Sequence, residues 1–267
     1  MCQIEKFARR STLRYNVSDI FIFINMELTM SQKTKKLAYP KKYFETKAWK
    51  ENTFVCGIDE VGRGCLAGPL VVSSAILPIN AKHKLLKDSK ILNQKEREQA
   101  FAWLIKKCFY STVIISNQQI DKLNIYQATI ISMKKAFSQI LHSIPFNNNQ
   151  IKYLLIDAMP IKLDSIYKTI NPNLEIFSMN YGESISPSIA AASIIAKVTR
   201  DRLMQKINPI FPAFNLAKHK GYGTFFHKEV IKNNGISIIH RKTFTTKLQN
   251  NLIKDKKENN EQQQSLF

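Results

Sequence analysis

Five short apolar runs along the chain, each bounded by turn residues, predict the strands of a sheet. They cover residues 53–59, 69–77, 109–116, 151–157 and 174–179. The run 151–157 is largely apolar, which is typical of a strand buried on both faces, and it ends in a carboxylate, Asp157.

Longer stretches with apolar residues at helical spacing alternate with these runs and predict three helices. Residues 94–107 place Phe101 and Leu104 on one face, and residues 124–142 continue the same spacing. Residues 187–207 carry an almost unbroken run of Ala, Ile and Val, which predicts a helix packed deep against the sheet. This alternation predicts an α/β or α+β fold with helices over a mixed sheet.

Length and composition set the domain organisation. The chain has 267 residues, 44% of them hydrophobic, which is enough for one sizeable core. We therefore expect one catalytic domain over residues 51–249, a mobile extension over 1–50 and a disordered tail over 250–267. The apolar run 20–24 is far shorter than the ~20 residues of a membrane span, so no membrane association is expected.

The N-terminal segment leaves two alternatives open. A cluster of arginines with Ser and Thr weakly favours a transit peptide, and a start at Met26 or Met30 is at least as good an interpretation. The four cysteines show no Cys-x-x-Cys spacing, which argues against a zinc site or a disulfide framework. They favour a reducing compartment, so we expect a cytoplasmic protein. We also expect this protein to be a monomer.

Charge narrows the class of partner. Lys and Arg number 40 against 20 Asp and Glu, a net charge of +20, and such an excess favours a polyanionic partner. Part of the excess reflects a composition rich in Lys, Asn and Ile. The positions of the charges therefore carry more information than their sum.

Candidate chemistry gathers at the ends of two predicted strands. Asp59 closes the run 53–59 and Glu60 follows it, while Asp157 closes the run 151–157, so we expect the three side chains to meet at one edge of a cleft. Clustered carboxylates repel one another, and a divalent cation removes that conflict. Oxygen ligands favour Mg²⁺ or Mn²⁺ over zinc. The segment 62–64, Gly-Arg-Gly, comes shortly after Glu60, and its exposed backbone can approach a ligand closely.

Six motifs occur in a fixed order. They are Gly57-Ile-Asp-Glu-Val-Gly-Arg-Gly64, Asp88-Ser-Lys90, Leu155-Ile-Asp157, the segment Ser188–Met204 that begins Ser-Ile-Ala-Ala-Ala-Ser, His219-Lys-Gly-Tyr-Gly-Thr224 and His240-Arg-Lys-Thr-Phe244. Together they resemble the type 2 ribonucleases H, specifically bacterial ribonuclease HII. The resemblance runs from about residue 53 to residue 247.

The resemblance implies a ribonuclease H-like fold with a helical C-terminal part. It implies an endonuclease that cleaves the RNA strand of RNA–DNA hybrids, and DNA on the 5′ side of an embedded ribonucleotide, with two Mg²⁺ or Mn²⁺ ions. The catalytic metal ligands would be Asp59, Glu60, Asp157 and Glu183. Most members carry Asp at the last position, and the related ribonuclease HIII carries Glu. A ribonuclease HIII-like preference for long hybrids therefore stays open, as does a non-catalytic nucleic-acid-binding homologue.

The same resemblance implies the residues that read the substrate. Gly62, Arg63 and Gly64 would contact the ribose 2′-hydroxyl, and Tyr222 would stack on the following deoxyribose. Phosphate contacts are expected from Lys90, Lys197, His219, Lys220, Arg241 and Lys242. Asp201 lies among basic residues, and we expect it to pair with Arg200 or Arg202 rather than to bind metal.

The last five residues carry a separate signal. Gln263, Leu266 and Phe267 stand at the end of a polar tail and resemble the short peptides that dock into bacterial sliding clamps. The sequence thus predicts a clamp as a second partner.

Overall fold

A computed structural model of the chain describes residues 39–86, 89–161 and 171–246. The described residues from Pro40 onward belong to one compact unit. The predicted clamp peptide over residues 263–267 lies outside the described residues and stays a prediction.

A five-stranded mixed sheet forms the centre of the unit, in the order β3-β2-β1-β4-β5. Strands β1, β2 and β3 pair antiparallel, whereas β4 and β5 continue the sheet in parallel with β1. The strands are β1 (Phe54–Val61), β2 (Leu70–Ile76), β3 (Phe109–Ile115), β4 (Ile151–Asp157) and β5 (Glu175–Met179).

Helices cover both faces of the sheet. In chain order they are α1 (Tyr43–Lys50), α2 (Gln94–Lys107), α3 (Asn117–Leu123), α4 (Ile125–Ser143), α5 (Gly182–Ile185), α6 (Pro187–Ile207), α7 (Leu216–His219) and α8 (Phe225–Asn234). Helix α4 packs its apolar stripe on one face through Met133, Phe137 and Ile140. Helices α2 and α6 cover the other face, where Leu104 and Ile194 join the same buried cluster.

The predicted strands and long helices are confirmed, and the ribonuclease H-like mixed sheet is as expected. One detail differs. Strand β1 runs past its predicted end at Asp59, because β2 pairs antiparallel with Glu60 and Val61. Asp59 therefore lies inside the strand, opposite Ser73.

Helix α1 was not predicted and falls in the segment assigned to the extension. Its Phe44 and Ala48 are buried, and the buried Glu45 accepts hydrogen bonds from the Ser186 hydroxyl and from the Ser188 amide, at 3.2 Å for the amide. A carboxylate at a helix N-terminus is stabilised by the helix dipole. Glu45 thereby ties α1 to the start of α6.

Close packing positions α6 over the sheet. A methyl group added at Gly57 in β1 would lie 2.2 Å from the Ser188 carbonyl carbon, so only glycine allows the first turn of α6 to approach β1 this closely. The described cysteines, Cys56, Cys65 and Cys108, are free and buried. Within the described ranges, no helix is long and apolar enough to cross a bilayer.

Candidate metal centre and substrate cleft

Three neighbouring strands bring the carboxylates together. In the parallel register of β1 and β4, Ile58 pairs with Ile156, so Asp59 and Asp157 stand side by side one residue further on. Helix α5 follows β5 and carries Glu183. The three carboxylates each offer an oxygen within 4.8 Å of the others.

Main-chain contacts hold this arrangement. The Gly182 amide donates to Asp157 Oδ1 at 2.7 Å, which ties the turn that carries Glu183 to the end of β4. The Glu60 amide donates to Asp59 Oδ1, also at 2.7 Å. Glu183 is 4% exposed, and its Oε1 accepts from Lys90 Nζ at 2.6 Å.

The electrostatics of the cluster favour a cation. Burial, followed by the charges of Glu60 and Asp157, holds the pKa of Asp59 well above its usual range. Burial also raises the pKa of Glu60 to about 7, although the Arg63 guanidinium opposes the shift. Groups that resist ionisation because they are buried among like charges gain most from a bound cation. A set made only of carboxylate oxygens fits a hard divalent ion.

Glu60 stands slightly apart from the other three carboxylates. Its Oε1 accepts from Arg63 Nη1 at 3.4 Å, and its buried Oε2 has no hydrogen-bond partner. A buried carboxylate oxygen without a donor is costly unless something positive completes it. Glu60 thus fits the role of an additional ligand at the edge of the site.

Two serines, which sequence reasoning did not single out for this role, support Asp59. The Ser193 side chain hydrogen-bonds Asp59 and lowers its pKa, against the larger effect of burial. Ser193 also shares a hydrogen bond with Ser89, with 2.8 Å between the hydroxyl oxygens. The available signal was a serine inside an otherwise Ala- and Ile-rich helix.

The predicted substrate residues open onto the same cleft, which has a volume of about 290 Å³. Its lining includes Gly62, Arg63, Gly64, Lys90, Lys197 and Tyr222, together with Asp59, Glu60 and Asp157. Lys197 pairs with Asp201 at 2.8 Å, so the expectation that Asp201 pairs with Arg200 or Arg202 is wrong. A lysine one helical turn away reaches Asp201, while both arginines have other partners.

Arg241 does not face the cleft as a phosphate contact, and that prediction is wrong. Its side chain is fully buried and donates to the carbonyl oxygens of Gly62, Arg63 and Gly68 at 2.7 to 3.1 Å. The guanidinium has five donors in a fixed plane, which suits several carbonyls of one loop. Arg241 therefore holds the glycine loop from behind.

Arg200 supports the loop from α6. It donates to the carbonyls of Pro69, Lys220 and Ala67 at 2.9, 2.8 and 3.2 Å, and its guanidinium carbon lies 5.8 Å from the Tyr222 ring centre. The loop after β1 and the loop that carries Tyr222 are thus joined through one buried side chain. Sequence reasoning missed this role, because carbonyl partners leave no mark in the sequence.

His219, like Arg241, bonds main-chain groups of the fold and is not free to contact a phosphate. Its Nε2 donates to the Phe214 carbonyl at 2.7 Å, and its Nδ1 accepts from the Gly221 amide at 3.2 Å. Lys220 donates to the Ala217 carbonyl. Lys242 is exposed, as a phosphate contact requires.

Comparisons with known proteins agree with this geometry. The sequence profile of the ribonuclease HII family matches residues 56–247. A ribonuclease HII from Caldanaerobacter subterraneus subsp. tengcongensis is 40% identical over 215 residues, which is 78% of this chain and 80% of that protein.

Two solved structures have the same fold. The ribonuclease H2 of Pyrococcus horikoshii superposes with a TM-score of 0.57 at 25% identity, over 75% of this chain and 99% of that one. The ribonuclease HII of Archaeoglobus fulgidus, solved in complex with PCNA, gives a TM-score of 0.56 at 26% identity, over 72% and 94% of the two chains.

Proposed function

The chain belongs to the ribonuclease HII family and is a ribonuclease H, and on this basis we propose that it acts on two kinds of substrate. It cleaves the RNA strand of RNA–DNA hybrids, and it cleaves duplex DNA on the 5′ side of an embedded ribonucleotide. The products carry 3′-hydroxyl and 5′-phosphate ends. The observation that carries this proposal is the meeting of Asp59, Glu60 and Asp157 with a glycine loop and Tyr222 in one cleft.

The carboxylates Asp59, Asp157 and Glu183 would hold the divalent cation, with Glu60 at its edge. Two such ions, Mg²⁺ or Mn²⁺, would supply the Lewis acidity that phosphodiester hydrolysis needs. The chain itself keeps Asp157 oriented through the Gly182 amide and Asp59 through Ser193. Arg63 balances the charge of Glu60.

The glycine loop would read the 2′-hydroxyl through its backbone. Gly64 is exposed, and a methyl group added there would meet nothing within 4 Å, so the space beside it is open to a ligand. A 2′-hydroxyl both donates and accepts, and it distinguishes RNA from DNA. Tyr222 is 41% exposed at the same cleft, where its ring can stack on a sugar.

A preference for long hybrids, as in ribonuclease HIII, is the second candidate, and Glu183 favours it. One assay separates the two: cleavage of duplex DNA with a single ribonucleotide against cleavage of a continuous hybrid, each with Mg²⁺ and with Mn²⁺. Efficient cleavage at the single ribonucleotide supports the proposal that the protein acts on both kinds of substrate. Cleavage of the hybrid alone would contradict it in favour of the second.

Tyr222→Ala tests the reading of the junction. We expect a loss of roughly 5- to 150-fold on the single-ribonucleotide duplex and a smaller loss on the hybrid, because one aromatic stack contributes roughly 1–3 kcal/mol. Tyr222→Phe is the control, since it keeps the ring and removes only the hydroxyl near Cys65. Equal losses on both substrates would make Tyr222 a packing residue.

The tail peptide is a proposed docking segment for the sliding clamp. The relative from Archaeoglobus fulgidus was solved with PCNA, which supports an association of this kind. A labelled peptide of residues 258–267 titrated against the bacterial clamp tests it, with Leu266→Ala and Phe267→Ala together as the control. No binding at high micromolar concentrations would end the proposal.

A further inference from the structure

A second basic surface lies beside the cleft, formed by α1 and by the segment that follows β2. It consists of two adjoining depressions of about 460 and 100 Å³ that share Lys42 and Ala81. We call it the lysine groove, and its charged lining is Lys41, Lys42, Lys50, Lys82 and Lys84.

Among the described residues, no carboxylate compensates the charge of these lysines. All five are exposed, and none of them forms an ion pair with a carboxylate of the described residues. Two acids of α1 and its C-terminal end have other partners, since Glu45 is buried against the start of α6 and Glu51 pairs with Lys152. An ordinary solvated helix surface mixes both signs of charge, whereas this groove has one sign.

Aromatic side chains line part of the groove. Trp49 lines the larger depression, and the His83 ring in the smaller one stacks on Trp103, with the ring centres 4.8 Å apart. The walls between the lysines thus include two aromatic rings, Trp49 and His83.

Two chain segments connect the groove to the cleft. Leu86 lines the groove and Ser89 lines the cleft, and three residues span at most about 11 Å. Pro187 lines the groove at the start of α6, while Ser193 and Lys197 of the same helix line the cleft. At a rise of 1.5 Å per residue these are roughly 9 and 15 Å further along the helix.

We propose that the lysine groove binds phosphates of the substrate duplex on one side of the cleavage site. The inference rests on the proposed function and names a contact beyond its catalytic cleft. Ten base pairs of duplex extend about 34 Å, so a duplex centred on the carboxylates is long enough to reach a surface 10 to 15 Å away. Lysine contacts to phosphates add affinity and fix register without reading sequence.

The first experiment measures how binding depends on salt. Lys50→Gln with Lys82→Gln removes two groove charges, and Lys122→Gln with Lys135→Gln is the control, since these exposed lysines lie in α3 and α4. Binding to a 20-base-pair DNA duplex is followed by fluorescence anisotropy in EDTA. Each lost phosphate contact lowers the slope of log Kd against log salt by about 0.9, so we expect a decrease of up to about 1.8 for the groove variant alone.

The second experiment locates the contact. Two duplexes carry one ribonucleotide, four base pairs from one end or from the other, so that only one flank is long. We expect the groove variant to lose roughly tenfold in kcat/KM on one duplex and to match wild type on the other, with melting temperatures unchanged.

Two outcomes would overturn the proposal: a salt slope of the groove variant equal to that of wild type, or equal losses on the two flanks. Failure of wild type to cleave either duplex would count against the proposed function instead. The salt slope on plain DNA would still report on the groove.

Discussion

Gly62 and Gly64 stand two residues apart in the loop after β1, yet a methyl group would meet different surroundings at each. At Gly62 it would lie 2.3 Å from Arg200 Nε, and the backbone there has φ +99°. At Gly64 it would meet nothing within 4 Å. The first glycine is needed by the fold, and the second leaves space for a ligand.

Gly64→Ala and Gly62→Ala should therefore affect different properties. We expect Gly64→Ala to change stability by no more than about 0.5 kcal/mol, while kcat/KM falls at least tenfold on a ribonucleotide substrate. Gly62→Ala should lose roughly 1–3 kcal/mol of stability from backbone strain, before the clash with Arg200 is counted. Thermal melting beside steady-state kinetics checks both. Full activity of Gly64→Ala would contradict the role of this backbone in reading the 2′-hydroxyl.

Asp59 lies within the carboxylate cluster. Its charge therefore supports turnover when metal is bound and lowers the stability of the protein when metal is absent. Asp59→Asn should lower turnover by on the order of 10³-fold or more, because a shared metal ligand contributes several kcal/mol to the barrier. In EDTA the same change should raise the melting temperature, since it removes one of several mutually repelling charges.

Melting curves in EDTA and in Mn²⁺ test Asp59→Asn, and Glu229→Gln on the surface of α8 is the control. A variant that retained a tenth of wild-type turnover, or that melted earlier than wild type in EDTA, would contradict this role of Asp59.

At the scale of elements, two buried arginines join segments that are far apart in the chain. Arg241 bonds three carbonyls of the loop between β1 and β2, and Arg200 joins that loop to the one before Tyr222. Isolated bridges between Cys65 and Tyr222 and between Ala67 and His240 complete the connection. The substrate-reading surface is thus held by C-terminal elements.

Arg241→Ala should destabilise the protein by about 3–5 kcal/mol, because it leaves several buried carbonyls without donors. Arg202→Ala is the matched control. Its guanidinium pairs with Glu98 at the surface, and such exposed pairs contribute roughly 0–1 kcal/mol. Urea unfolding measures both. Arg241→Lys should retain part of the stability but raise KM, since one ammonium cannot hold all three carbonyls. A KM equal to wild type would mean that Arg241 supports only the core.

At the scale of the whole molecule, a histidine chain under the substrate loop makes stability depend on pH. His240 lies 3.1 Å from His227, measured between the Nε2 atoms, and His227 Nδ1 lies 2.9 Å from the Tyr222 carbonyl. Burial lowers the pKa of His227 to about 4. Burial, followed by the charge of His227, lowers the pKa of His240 to about 4. Both rings are therefore neutral in the folded protein at pH 7.

These lowered pKa values set the direction of the pH effect. The unfolded chain binds protons near pH 6.5 and the folded chain only near pH 4, so the unfolded state takes up more protons between those values. The stability from the neutral histidines is complete above about pH 6.5 and is lost as the pH falls toward 4. At 1.36 kcal/mol per pKa unit, the loss is on the order of 3 kcal/mol for one histidine.

Urea unfolding at pH 7.5 and pH 5 tests this, with His227→Gln/His240→Gln as the comparison. The raised pKa values of Asp59 and Glu60 contribute the opposite slope in both proteins, and this contribution cancels in the difference. We expect wild type to lose more stability than the double variant on acidification. Equal losses in both proteins would contradict the role of the histidines.

The sequence predicted the elements well where local patterns decide them. The helix over residues 94–107 and the strand over 151–157 match the predicted bounds, because hydrophobic periodicity reflects which face of an element is buried. Helix α1 escaped prediction. Its apolar side is short, and its stability depends on Phe44 and Glu45 packing against distant segments.

The sequence by itself determined the chemistry available to this protein: a set of oxygen ligands, a glycine loop, a ring at Tyr222 and a large positive charge. Ordered motifs are enough for this, because the type of side chain limits the reaction. Only the tertiary structure decided which polar residues face the substrate and which hold the fold. Arg241 and Arg63 are both arginines, yet the Arg241 side chain is fully buried against main-chain carbonyls, whereas Arg63 lines the cleft. The reason is physical, since a guanidinium finds its partners through long-range packing, and carbonyl oxygens are present at every position of the chain.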